Sequence, residues 1–242
     1  MNAVVLIPAR NEEPTLGRVL GLLADQKLGL PTVVIDDGSA DRTAELARAA
    51  GVRVVSHRIN LGYSRALLTG LRFALRSGFE YALTLDGDGQ HDPKYLAVLI
   101  ERALQPDRPD LVLGSRFLGQ GDYETSLPRK VGMRGFSLLT RLMAGRRIYD
   151  TTSGFRCWAR RAMQLAVGAP VGDLHSELIV YGLLSGLSVV EVPIRVGPRV
   201  HGRSMYDALS STLYPFKTLL VAVILSRLAS RRREVVGGSI ER

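Results

Sequence analysis

Leu83-Thr84-Leu85-Asp86-Gly87-Asp88-Gly89-Gln90-His91-Asp92-Pro93 ends an apolar run in two carboxylates one residue apart, set among glycines and closed by a proline. Strand alternation turns Asp86 and Asp88 to one side, at a strand end where binding groups gather. Two hard oxygen ligands with the Gln90 carboxamide beside them suit a divalent cation that keeps positions open for substrate phosphates. Isolated Asp-x-Asp pairs are common in surface turns, so the setting decides the meaning of this one.

Upstream, apolar runs at residues 3–7, 32–35, 52–56 and 81–85 read as strands. Between them, residues 13–23, 40–50 and 64–77 carry helical spacing, with Leu16, Val19, Leu20 and Leu23 on one stripe of the first. A helix over 93–104 and a strand over 111–114 continue the pattern. Such alternation predicts an α/β fold, a mostly parallel central sheet with helices on both faces, whose ligands bind beyond the carboxyl ends of the strands.

Residues 125–149 hold six basic side chains and no acidic one, interleaved with Val131, Met133, Phe136, Leu138, Leu139, Leu142 and Met143. This reads as a basic amphipathic helix, suited either to a membrane surface or to a solvated cationic face. Near the C-terminus the apolar run 219–225 is too short for a bilayer span of ~20 residues. It predicts a docked or membrane-surface helix, with Arg231, Arg232 and Arg233 beside it for anionic headgroups. Residues 1–208 are therefore expected to form the α/β domain and 209–242 a basic, apolar helix and tail.

Of a net charge of +9, +6 falls from Arg195 onward, where phosphate or membrane surface would be attracted. Nucleic acid is not expected as a partner: helix-turn-helix, zinc spacing and an aromatic platform are all missing. The single cysteine, Cys157, excludes an internal disulfide framework and fits a reducing compartment. The N-terminus reads as a strand, not as a secretory signal.

The first two strands end in acceptor side chains, Pro8-Ala9-Arg10-Asn11-Glu12 and Asp36-Asp37-Gly38-Ser39-Ala40-Asp41-Arg42-Thr43, where Asp41 or Ser39 can cap the next helix. Asn60-Leu61-Gly62 follows, then Gly114-Ser115-Arg116-Phe117 after the fifth strand. In this order the set resembles the family-2 glycosyltransferases of the GT-A (Rossmann-like) fold. Within them it is most similar to the dolichyl- and polyprenyl-phosphate mannose or glucose synthases. Asp150-x-x-Ser153-Gly154-Phe155-Arg156, Val192-Pro193-Ile194 and Arg199-x-x-Gly202-x-Ser204 add to that similarity.

The resemblance implies inverting transfer of a hexose from a nucleoside-diphosphate sugar of GDP-mannose or UDP-glucose type to a polyprenyl phosphate. It places Pro8, Asn11, Glu12, Asp37 and Asp86 around the nucleotide, and Mg²⁺ or Mn²⁺ on Asp86, Asp88 and Gln90. Arg199, Arg203 and Ser204 fall to the donor phosphates, and Arg116 and Arg129 to the acceptor phosphate. Asp88, Arg199 and Glu177 are the expected catalytic residues. A sugar or protein hydroxyl acceptor remains open, with Asp173 or Glu177 as general base. His91 and His175 read as loop and capping residues rather than metal ligands. The expected location is cytoplasmic, peripheral on the inner membrane face, bound directly or through a small membrane protein partner. A dehydrogenase would need Gly-x-Gly-x-x-Gly after the first strand, which is absent. A degenerate binding or scaffold protein would have lost the metal ligands or the closing arginine, and both are retained.

Overall fold

The computed structural model describes residues 1–118, 135, 137, 138, 140–142, 145–170 and 174–197. Arg129, Asp173, Arg199, Arg203, Ser204 and the 209–242 segment lie outside them, as do most of the residues expected in the 125–149 helix. Among the described residues, one sheet contains β1 (Ala3–Ala9), β2 (Thr32–Asp36), β3 (Arg53–Ser56), β4 (Tyr81–Thr84), β5 (Leu111–Ser115), β6 (Arg156–Ala159) and β7 (Val189–Pro193). The spatial order is β3-β2-β1-β4-β6-β5-β7. All neighbouring pairs are parallel except those of β6, which runs against both β4 and β5.

The period-2 pattern of β1 feeds two cores at once. Ala3, Val5 and Ile7 face α1 (Glu13–Asp25) and α4 (Tyr95–Ala103), whose Leu16, Val19, Leu20, Leu96 and Leu99 fill that layer. Val4 and Leu6 face α3 (Tyr63–Arg76), α5 (Arg160–Gly168) and α6 (Ser176–Leu184), through Leu67, Leu71, Met163 and Leu178. A strand apolar on both faces belongs in the middle of a covered parallel sheet, and β1 lies there. Each of these large side chains gains about 1.5–3 kcal/mol by leaving water.

β1 runs two residues further than its apolar run suggests, through Pro8. Its pairing with β4 stops at Leu6↔Thr84 while that with β2 continues to Ala9↔Asp36, so Pro8 has a neighbour on one side only. At the far end, Thr84 pairs with Arg156, so β6 enters from the carboxyl edge and brings the 145–155 segment to that edge.

The helix α2 (Thr43–Ala49) starts later than residue 40, because 37–42 build a turn. Gly38 has φ 66°, and a Cβ there would lie 2.6 Å from the Ile59 carbonyl carbon and 2.7 Å from the Asn60 nitrogen. Backbone cannot yield as a flexible side chain can. Gly38→Ala is expected to cost about 2 kcal/mol or more, read as a lower urea midpoint with unchanged slope.

Candidate active site

Two loops at the carboxyl edge are stitched together by the polar residues of the first two motifs. Asn11, itself at φ 53°, donates its N–H to Ser39 Oγ (3.0 Å) and accepts from Ala40 N on Oδ1 (2.9 Å). Glu12 N donates to Thr43 Oγ1 (2.8 Å), and Glu13 N to Asp41 Oδ2 (3.1 Å). The first turns of α1 and α2 thus satisfy each other's exposed N–H groups through side chains. Asp41, rather than Ser39, accepts from the Thr43 N–H at the start of α2 (3.0 Å).

Asp37 is 3% exposed and meets three donors. Its Oδ1 accepts from Leu61 N (2.9 Å) and contacts His57 Nδ1 (2.7 Å), and its Oδ2 accepts from Gly62 N (2.8 Å). His57 Nε2 in turn meets Thr69 Oγ1 (2.9 Å). Asp37 therefore anchors the 57–62 loop beside the expected nucleoside pocket. Gly62, with φ 90° and open space around its Cβ direction, serves by conformation and not by close approach.

Asp86 and Asp88 sit on the turn after β4. Asp88, 7% exposed, accepts from Gln90 N on Oδ1 (3.0 Å). The Asp86 side chain is 26% exposed; its Oδ1 accepts from Tyr63 Oη (3.1 Å), and His91 Nδ1 lies 3.5 Å from its Oδ2. Burial, and after it the Asp86 charge, hold the Tyr63 phenol well above its ordinary range. Burial also pushes the His91 imidazole down, and its ring stacks on Phe155 at 5.1 Å. Thr15 fastens the turn to α1: its Oγ1 lies 2.7 Å from Glu12 Oε2 and 2.9 Å from the Gly87 carbonyl, and its one proton is shared between these two acceptors. Gly197, two residues before Arg199, donates its N–H to the Gln90 carbonyl (3.0 Å). Gly197, the last of the described residues, is thus held beside the turn that carries Asp86 and Asp88.

The described residues contain no cluster of three metal-ligating side chains. The donor set is two carboxylates and one carboxamide on a single turn, all hard oxygen. That set fits Mg²⁺ or Mn²⁺ if the remaining positions go to donor phosphates.

Arg116, expected at an acceptor phosphate, has its guanidinium fork closed on Asp150: Nε to Oδ2 and Nη2 to Oδ1, both at 2.7 Å. Nη2 also reaches Thr152 Oγ1 (2.8 Å). Glu191 of β7 accepts from the Tyr149 and Asp150 N–H groups (2.9 and 2.8 Å), and burial raises its carboxyl. Arg116, Asp150 and Glu191 together bolt the 149–152 loop to the sheet. Arg156, 1% exposed, donates to the Ser153 and Leu174 carbonyls (2.7 Å each) and to that of Thr151 (3.4 Å). It fixes the same loop to the start of α6. There Glu177 is 3% exposed in the first turn, and His175, at the N-cap position without a capping bond, stacks on Tyr63 at 4.9 Å. Burial pushes the Cys157 thiol up to about 12, so it supplies no nucleophile.

Tyr63, Thr15, His57 and Glu191 are the site-building residues that the sequence reading missed. Only Thr15, three residues after Glu12 at a helix start, left a readable signal.

A mostly parallel α/β sheet with a carboxylate pair at its carboxyl edge and knitted loops around it is the arrangement of the GT-A fold. Residues 4–164 match the model of Glycosyl transferase family 2, and the chain belongs to that family. It is 32% identical over 216 residues to the undecaprenyl-phosphate mannosyltransferase of Micrococcus luteus, covering 84% of this chain and 87% of that one. With the UDP-N-acetylglucosamine–dolichyl-phosphate N-acetylglucosaminyltransferase of Methanococcus voltae it shares 29% over 212 residues, covering 79% and 84%. The solved glucosyl-3-phosphoglycerate synthase of Mycobacterium tuberculosis, in complex with Mn²⁺, UDP and phosphoglyceric acid, has the same fold. Its TM-score is 0.67 at 19% identity, covering 91% of this chain and 78% of that one.

Proposed function

We propose that this glycosyltransferase moves a hexose from a GDP-mannose- or UDP-glucose-type donor to a polyprenyl phosphate at the cytoplasmic face of the membrane, with inversion. One observation carries the lipid acceptor. In the described part of the basic helix, Ser137 and Thr140 are buried at 4% and 0%, whereas Leu138 and Leu142 stand out at 49% and 74%. Hydroxyls inward and leucines outward is the reverse of what water alone favours, and Arg141, Arg146 and Arg147 are exposed around them. An anionic bilayer satisfies both features. Similarity to enzymes named for undecaprenyl and dolichyl phosphate supports the same acceptor class. No helix among the described residues is long and apolar enough to cross a membrane. On this reading residues 1–208 are the catalytic unit and 209–242 add a second membrane-surface or docking segment.

The residues divide the work as follows. Pro8, Asn11 and Glu12 line the nucleoside side, and Asp37 shapes it by holding the 57–62 loop. Asp86, Asp88 and Gln90 hold Mg²⁺ or Mn²⁺, which when bound neutralises charge on the departing diphosphate. Arg199, Arg203 and Ser204 close on the donor phosphates. An oxygen of the acceptor phosphate forms a bond to the anomeric carbon as the bond to the diphosphate breaks on the opposite face. That oxygen is anionic near neutral pH, so no side chain need take a proton. Arg116, braced by Asp150, and Arg129 hold the acceptor phosphate.

The test is transfer of labelled hexose from each donor to a short polyprenyl phosphate, with Mn²⁺ and with EDTA. Labelled lipid formed only with metal supports the reading; label passing only to free sugars or peptides rejects it. Glu177, buried in the first turn of α6, favours the hydroxyl alternative enough to be tested. With a phosphate acceptor, Glu177→Gln lowers kcat less than about tenfold; a general base would cost about 10²–10⁴-fold. Leu138→Asp with Leu142→Asp is expected to weaken binding to protein-free anionic vesicles at least about tenfold, read by sedimentation. Wild-type protein that ignores such vesicles would instead need a membrane protein partner.

A further inference from the structure

Tyr63 enters none of the roles above, yet it touches both halves of the site. It is the first residue of α3, directly after Gly62, whose N–H is held by Asp37 Oδ2 at 2.8 Å. Its hydroxyl donates to Asp86 Oδ1 at 3.1 Å, and its ring stacks on His175 at 4.9 Å and 22°. Gly154 presses on the same point: a Cβ there would lie 2.6 Å from Tyr63 Oη and 2.9 Å from each Asp86 carboxylate oxygen. The phenol and the carboxylate thus fill a space that only a glycine leaves open.

We propose that Tyr63 is a positioning residue for the donor site: it sets the orientation of the Asp86 carboxylate and passes to it the hold that Asp37 exerts on Gly62. This rests on the reading of Asp86 as a group that binds the donor nucleotide and its metal. A carboxylate on a glycine-flanked turn has several rotamers, and an unfixed one must be ordered when the ligand arrives, at a cost in affinity. The Tyr63 hydroxyl meets that cost in advance by occupying one lone pair of Oδ1. The Asp86 side chain is 26% exposed, with His91 Nδ1 3.5 Å from Oδ2, and its remaining lone pairs serve the ligand. The link Asp37–Gly62–Tyr63–Asp86 also couples the two acidic motifs, which stand 49 residues apart in the chain, through consecutive hydrogen bonds and one peptide unit.

The test is calorimetric titration of UDP and of GDP, with Mn²⁺ and with EDTA, into wild type and Tyr63→Phe. Phenylalanine keeps the ring and its stack and removes one hydroxyl, so the melting temperature should hold. The expected result is Mn²⁺-dependent affinity weakened about tenfold or more, the scale of one hydrogen bond to a charged group. In the Asp86→Ala background, titrated at millimolar nucleotide, the same substitution should change affinity less than about twofold, because its target is gone. Gly154→Ala reaches the same pair from the other side and should weaken Mn²⁺-dependent binding at least as much. Wild-type affinity in Tyr63→Phe, or a loss that persists undiminished in the Asp86→Ala background, overturns the proposal. Wild-type protein without Mn²⁺-dependent binding of either nucleotide overturns the reading beneath it, and the proposal with it.

Discussion

Asp88→Ala is expected to lower kcat by about three orders of magnitude while leaving the melting temperature close to that of the wild type. The magnitude follows from the role: charge stabilisation by a bound cation is worth several kcal/mol, and each 1.4 kcal/mol is a factor of ten in rate. The folded state should tolerate the change where the Asp88 carboxylate meets its own turn, by accepting from the Gln90 N–H at 3.0 Å. That partner is half-buried and two residues away, so the turn can rehydrate. Steady-state kinetics with saturating Mn²⁺ and a thermal melt measure both halves. Loss of activity together with loss of fold would assign Asp88 to structure.

The second large effect concerns stability. Asp150→Asn should destabilise the protein by about 3–5 kcal/mol, since it leaves the Arg116 guanidinium buried against a neutral amide. Asp150 is 1% exposed, and the Arg116 side chain 11%. Burial pushes the Asp150 carboxyl up, and the hydrogen bonds and charge of Arg116 more than reverse that, so it lies below its ordinary value. A carboxyl depressed in the folded state adds stability above its unfolded value, about pH 4, and that stability is lost as pH falls through the folded value. Wild-type stability should therefore fall away on the acid side, while Asp150→Asn, lower throughout, should show a shallower acid limb. Urea melts from pH 7 down to pH 3 follow both curves. Parallel curves would remove the ion pair from the account.

The first five strands and four helices were legible because each is local. Alternation in 3–7 and helical spacing in 13–23 are properties of short windows, and the sheet core needs nothing else. β6 was not legible. Its four residues carry Arg156, which reads as a surface position, and only folding brings the Ser153, Leu174 and Thr151 carbonyls that allow a guanidinium to be buried there. The antiparallel insertion of β6 is for the same reason invisible in a chain that alternates strand and helix.

The candidate site divides along the same line. Residue types at strand ends marked Asn11, Asp37, Asp86 and Asp88. Their partners are another matter, because hydrogen bonds between Asp37 and residues 57–62, or Asp86 and Tyr63, join residues 20 or more positions apart. Arg116 shows what this omits. The motif supplies a guanidinium, but only the fold reveals that Asp150, 34 residues on, has taken the fork.

The central claim is that a divalent cation joins Asp86 and Asp88 to the diphosphate of the donor. Anomalous diffraction from crystals grown with Mn²⁺ and UDP or GDP measures it directly. The account predicts one manganese peak within coordination distance of an Asp88 carboxylate oxygen and of the nucleotide phosphates, at the turn after β4. Nucleotide bound elsewhere, or bound there with manganese absent from that turn, would contradict it.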